Sequence, residues 1–137
     1  MNQHTYLRAY LAGIAVPTVF LLVAMTVYSV LRYVYNFPVP IERVIVFPMA
    51  VVPNAWGLWN ILFVALRPRL RLSIGLHGAL LPILLAPLGI VAASLLNFPI
   101  SSVVAHDLPI AALVGLIVYY FAWKYLVGFL NRVQQIA

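Results

Sequence analysis

Four apolar stretches, approximately 7–35, 44–66, 72–98 and 109–130, occupy nearly all of this 137-residue chain. Each meets the ~20 residues that an α-helix needs to cross a hydrocarbon layer ~30 Å thick. In that solvent every backbone polar group has to be satisfied within the protein, so single apolar stretches of this length fold as helices. The expected fold is all-α: a polytopic membrane protein in which four transmembrane helices form one domain over residues 1–137. A soluble helical bundle needs polar outer faces. With 66% hydrophobic and only 7% charged residues, this chain has little to build them from.

The net charge of +6 would point to nucleic acid in a soluble protein. Here Arg67, Arg69 and Arg71 crowd the short loop between the second and third stretches, where they are expected to fix topology and contact anionic lipid headgroups. No nucleic-acid partner is expected. Without cysteine, disulfides and thiolate chemistry are excluded. The first stretch is too long for a signal-peptide core and lacks a small-x-small cleavage site, so it is expected to be retained.

Placing both termini in the cytoplasm puts Arg8, Arg67, Arg69, Arg71, Lys124 and Arg132 on the inner side. Only Arg32 and Arg43 then lie near the outer side, with Glu42 beside Arg43 to offset it. The positive-inside rule therefore selects N-in/C-in, in the plasma (inner) membrane if the source is bacterial. Two turns open alike, Asn36-Phe37-Pro38 and Asn97-Phe98-Pro99, and each is followed ten residues after its proline by another, Pro48 or Pro109. The recurrence is consistent with two parallel helical hairpins related by a pseudo-two-fold axis along the membrane normal. It is equally consistent with a good helix stop used twice.

Small or ring residues at Gly75, Ala79, Pro82, Ala86, Gly89 and Ala93 form a heptad-like seam on the third helix. Helices associate in lipid through close van der Waals contact, so this seam is expected to pack on protein near the centre of a left-handed bundle. Related stripes run through Ala50, Asn54, Gly57 and Ala65 on the second helix and Ala111, Gly115 and Ala122 on the fourth. The second helix also carries Trp56, Trp59, Asn60 and Phe63 at i, i+3, i+4, i+7 spacing. Amides and indoles are costly in hydrocarbon unless they meet a partner. This face is read either as an interhelical lock or as a surface for a ligand or another membrane subunit.

Catalytic chemistry is sparse. The only acids, Glu42 and Asp107, lie in or beside the outer loops, so no intramembrane carboxylate exists to couple transport to protons or sodium. Glu42, His106 and Asp107 are weak candidates for an external cation site, and Asp107 is expected to cap the fourth helix with Pro109 in its first turn. His77, about one turn into the third helix, is a weak candidate axial ligand for a pigment or haem, although no cofactor is predicted. No nucleophile signature or phosphate loop is found. The leading expectation is a non-enzymatic integral membrane subunit, an accessory or scaffold component of a larger membrane complex. Its partners would be the lipid bilayer and other integral membrane proteins, or further copies of itself. The alternatives are a small homo-oligomeric channel or facilitator, and a lipid-, pigment- or haem-binding membrane protein.

Overall fold

The computed structural model describes residues 4–39, 41–97 and 102–136, the side chains of residues 43, 44, 46, 102–106 and 108 excepted. Its helices are α1 (Thr5–Tyr33), α2 (Ile41–Val44), α3 (Val52–Leu66), α4 (Ile74–Leu95), α5 (Ser102–Phe121) and α6 (Gly128–Val133). Two π-helical turns, Ile45–Met49 and Ala122–Val127, lead into the second span and join α5 to α6. Four spans result, Thr5–Tyr33, Phe47–Leu66, Ile74–Leu95 and Pro109–Val133, each long and apolar enough to cross a membrane.

The second span is broken where one helix over 44–66 was expected. Pro48 lies in the π turn and Pro53 at the start of α3. Each lacks an N–H and crowds the preceding turn, and here the regular α-helix gives way; the prolines at the same spacing in the third span, Pro82 and Pro87, are accommodated inside α4. The fourth helix starts earlier than the sequence implied. Because α5 begins at Ser102, Asp107 lies in its second turn instead of capping it, and Pro109 is inside the helix.

Helix ends follow local chemistry. Asn36 (φ 57°) and Asn97 (φ 53°) both adopt the left-handed conformation just beyond α1 and α4. Asparagine tolerates this region better than most residues. The Phe37 N–H then donates to the Leu31 carbonyl at 3.0 Å, turning the chain out of α1. Across the same turn the Arg32 guanidinium pairs with the Glu42 carboxylate at 2.7 Å. Arg43, the expected neighbour of that carboxylate, has its side chain outside the described residues. The C-terminal end is closed by a Schellman motif. With Gln135 at φ 56°, the Ile136 N–H donates to the Asn131 carbonyl at 3.0 Å and the Gln135 N–H donates to that of Arg132.

The first span packs along α3, and α4 packs along α5 and the following π turn. These two hairpins meet through α3 against α4, and through α1 against α6 and its preceding π turn. Arg8 and Gln134 line one crevice, so the two ends of the chain lie together. Trp56, Leu81, Leu85, Trp123 and Val127 form the buried core between the hairpins. The outer surface is aliphatic and aromatic, as at Phe20, Val23, Ile83 and Leu113, which suits hydrocarbon as solvent.

Candidate functional site

Close helix contacts set the geometry of the interior. A Cβ on Gly13 would lie 2.5 Å from the Trp56 carbonyl oxygen, and one on Gly57 would lie 2.5 Å from the Tyr10 ring. These two glycines let the backbones of α1 and α3 touch. Between the third and fourth spans, a Cβ on Gly75 would be 2.8 Å from the Tyr120 ring. A Cβ on Gly78 would be 2.0 Å from Trp123 Cγ. Gly78 is therefore the notch that seats the Trp123 indole, which is fully buried.

The fourth span presents that indole from its π turn in a row at helical spacing, since side chains four apart share one face of a helix. Trp123, Val127 and Asn131 lie four apart, and all three are 0% exposed. At the foot of this row the Asn131 and Asn60 amides pair reciprocally. Asn60 Nδ2 donates to Asn131 Oδ1 at 2.8 Å, and Asn131 Nδ2 donates back to Asn60 Oδ1 at 3.0 Å. Asn60 Nδ2 also donates to the Ala9 carbonyl at 2.7 Å, tying three spans together at one point.

From the residue before Asn60, the second and third spans are joined by another reciprocal pair. The Trp59 indole N–H donates to the His77 carbonyl at 2.8 Å, while His77 Nε2 lies 3.0 Å from the Trp59 carbonyl and donates to it in the Nε2–H tautomer. The imidazole stacks on Trp59 with centroids 4.8 Å apart and meets Phe63 at 5.2 Å and Trp123 at 5.9 Å. Trp56 closes the cluster against Tyr119 and Trp123, at 5.0 and 5.3 Å. The face read as a lock or a recognition surface thus points into the bundle. Trp56, Asn60 and Phe63 are buried, Trp59 is half-buried, and the polar groups of Trp59 and Asn60 are bonded within the chain.

The seam of the third helix divides into two halves. Gly75 is buried and Ala79 partly so, whereas Ala86 is exposed and Gly89 and Ala93 are half-buried. Pro82, Ala86 and Gly89 line a cavity of about 580 Å³ whose opposite wall is Ala111, Gly115 and Tyr119 of α5. Phe47 and Val52 of the second span border it. A Cβ on Gly115 would find nothing within 4 Å. Of the other small-residue stripes, Gly57 is buried, Ala122 half-buried, and Ala50, Asn54, Ala65 and Ala111 exposed.

Arg67, Arg69 and Arg71 are exposed around the turn between α3 and α4. The candidate cation residues are not shown as one site. Glu42 is engaged by Arg32, Asp107 is exposed in α5, and the His106 side chain lies outside the described residues. The Glu42 carboxyl is held below the usual glutamate range, first by its own backbone N–H and then by the Arg32 guanidinium. Sequence reasoning missed Gly13, Gly78, Trp123 and Asn131. The available signals were the second glycine flanking His77 and the four-residue spacing from Trp123 to Asn131. Comparison with protein-family models, with curated proteins and with solved structures gives no match.

Proposed function

We propose that this chain is a non-enzymatic integral membrane subunit that receives a transmembrane helix of another protein in the cavity between its second, third and fourth spans. Gly115 carries the reading. Gly13, Gly57, Gly75 and Gly78 each sit where a Cβ would collide with a neighbouring span, so their own chain uses their smallness. Gly115 faces open space, and glycine in a helix interior costs about 1 kcal/mol relative to alanine with no return inside this chain. Lipid tails are as apolar as leucine and gain nothing from a small-residue wall, whereas a helix backbone needs one to approach closely. Ala86 and Gly89 on α4, facing Ala111 and Gly115 on α5, provide such a wall on both sides.

A partner of different sequence fits better than a second copy. Two-fold association would bring the same concave patch against itself, and one cleft cannot fill another. The inward Trp56, Trp59, Asn60 and Phe63 face supports the assembly indirectly, by locking the hairpins that form the cavity. The termini and the 67–71 arginines are assigned to the cytoplasmic side on the positive-inside rule, the source membrane being the plasma or inner membrane if bacterial. Cysteines at Tyr35 and Arg69 are expected to label from opposite sides with an impermeant reagent, and labelling of position 69 from outside would reverse that orientation.

The test is occlusion of the cavity. A Cβ at position 115 meets nothing within 4 Å and the cavity lies beside it, so Gly115→Leu is expected to retain wild-type thermal stability in detergent. Native mass spectrometry after mild extraction should find the wild type bound to another membrane protein and Gly115→Leu alone. Leu22→Phe, on the exposed side of α1, should keep the partner. Retention of the same partner by a folded Gly115→Leu would remove the cavity from the assembly. Homo-oligomers sensitive to Gly115→Leu would favour the small channel.

A further inference from the structure

A second concavity lies at the other end of the bundle and has a different chemistry. Arg67 at the end of α3, Lys124 in the π turn and Arg132 in α6 line one cavity of about 330 Å³ together with Ser73 and Asn131. Its remaining wall is apolar, from Phe63, Leu72 and Ile74. Two spans that are distant in sequence, the second through Arg67 and the fourth through Lys124 and Arg132, thus bring three cations to one hollow. No carboxylate balances them among the described residues, where the sole ion pair is Arg32–Glu42. The Lys124 ammonium is positioned over the Tyr120 and Tyr125 rings at 5.6 and 5.4 Å, which leaves its hydrogen-bond donors free for a ligand.

Ser73 is the N-cap of α4, so the positive end of a 22-residue helix opens at the same hollow. Its first-turn N–H groups and dipole favour an anion there. Asn131 is fully buried, and its amide shows one donor bond, to Asn60, leaving a second N–H available. Room for roughly ten waters, at ~30 Å³ each, is enough for a phosphate with its attached glycerol. The cavity sits where the second, third and fourth spans end, which is headgroup depth for a spanning chain.

We propose that this cavity binds a phosphate ligand bearing about two negative charges, held by Arg67, Lys124 and Arg132 against the N-terminus of α4. A basic hollow between transmembrane helices is suited to the headgroup of an anionic phospholipid, and the Phe63, Leu72 and Ile74 wall gives its glycerol and first methylenes a surface. The assignment differs from general attraction to the 67–71 loop, because Arg69 and Arg71 do not line the cavity. It stands independently of the partner helix, which is assigned to the opposite half of the bundle.

The experiment measures lipid retention by native mass spectrometry of protein reconstituted with phosphatidylcholine alone, or with added cardiolipin or phosphatidic acid. Wild type should retain either anionic lipid over phosphatidylcholine. Removing a cation near a membrane surface weakens such binding about fivefold, so Arg67→Gln with Arg132→Gln should lose roughly 25-fold. Arg69→Gln with Arg71→Gln removes the same charge and should change retention by less than about threefold. A parallel titration with inorganic phosphate identifies the source: saturable binding lost in the Arg67/Arg132 pair makes free phosphate the ligand, and its absence alongside lipid retention makes it the headgroup. Equal losses in the two pairs would overturn the proposal, as would a wild type that prefers neither anionic lipid nor phosphate. Should the Arg67/Arg132 pair fail to fold, Lys124→Gln alone is compared with the Arg69/Arg71 pair: a loss of about fivefold supports the cavity, and a loss no greater than that of the Arg69/Arg71 pair overturns it.

Discussion

Replacing Gly78 by alanine adds one methyl group at the tightest point of the interior, and its consequence can be estimated from the contacts around it. The new Cβ would lie 2.0 Å from Trp123 Cγ, 2.3 Å from its Cβ and 2.4 Å from its Cδ1, whereas ordinary contact begins at 3.4 Å. Trp123 Cβ is bonded to the backbone, so no rotation of the side chain clears the clash. The third and fourth spans would have to separate by on the order of 1 Å, a gap that costs each contact across the interface a quarter to a half of its attraction. Overpacking of a tight core costs about 1–3 kcal/mol, and a shift of two helices belongs at the upper end. Alanine returns about 1 kcal/mol through helix propensity. The net expectation is a loss of about 2 kcal/mol, or roughly thirtyfold in the folding equilibrium. Gly115→Ala makes the same chemical change in open space and should be neutral or stabilising. Reversible unfolding in mixed detergent micelles, followed by tryptophan fluorescence, compares the two directly. If Gly78→Ala unfolds with the same midpoint as Gly115→Ala, the account of Trp123 seated in a glycine notch fails.

Further expectations concern the polar links and the outer clasp. Asn60→Leu and Asn131→Leu should each cost about 1–3 kcal/mol by stranding a buried amide, and the double variant should cost clearly less than their sum; additive losses in a double-mutant cycle would show that the pair is not coupled. His77→Phe keeps an aromatic ring beside Trp59 but removes the bond to its carbonyl, so a loss of about 0.6–2 kcal/mol is expected in the same assay. The Glu42 carboxyl has a lowered folded-state pKa, so its contribution is complete above the ordinary glutamate range and is lost as pH falls through and below it. Protection of the amides over residues 34–39, corrected for the intrinsic pH dependence of exchange, should therefore fall on acidification in the wild type, while Glu42→Gln should already be poorly protected at neutral pH; equal protection in the two proteins at neutral pH would contradict the clasp.

The spans were legible because hydrocarbon imposes a length and a composition that this sequence meets four times. Their interruptions were less so. Pro48 and Pro53 marked the break in the second span, but the π turn at Ala122–Val127 contains no proline and has no period of its own to read. Trp123, Val127 and Asn131 still share one helix face at i, i+4 and i+8, so the row was readable from spacing although the π turn was not. The Trp56–Phe63 periodicity grouped four residues on one face, but spacing alone cannot say whether a face points to lipid, to a partner or to a neighbouring span. Here Asn131 and His77 decide it, and both lie in other spans. The small-residue seam had the same ambiguity. Gly75 and Gly89 look alike in sequence, yet one is pressed against Tyr120 and the other borders the cavity.

The most direct measurement of the central claim is photo-crosslinking inside the native membrane from position 115. A benzophenone amino acid placed there in cells should yield a discrete adduct with a transmembrane segment of a different protein, and the same probe at Leu22 should not. An adduct with lipid alone, or with a second copy of this chain, would contradict the assignment of the cavity to a partner helix.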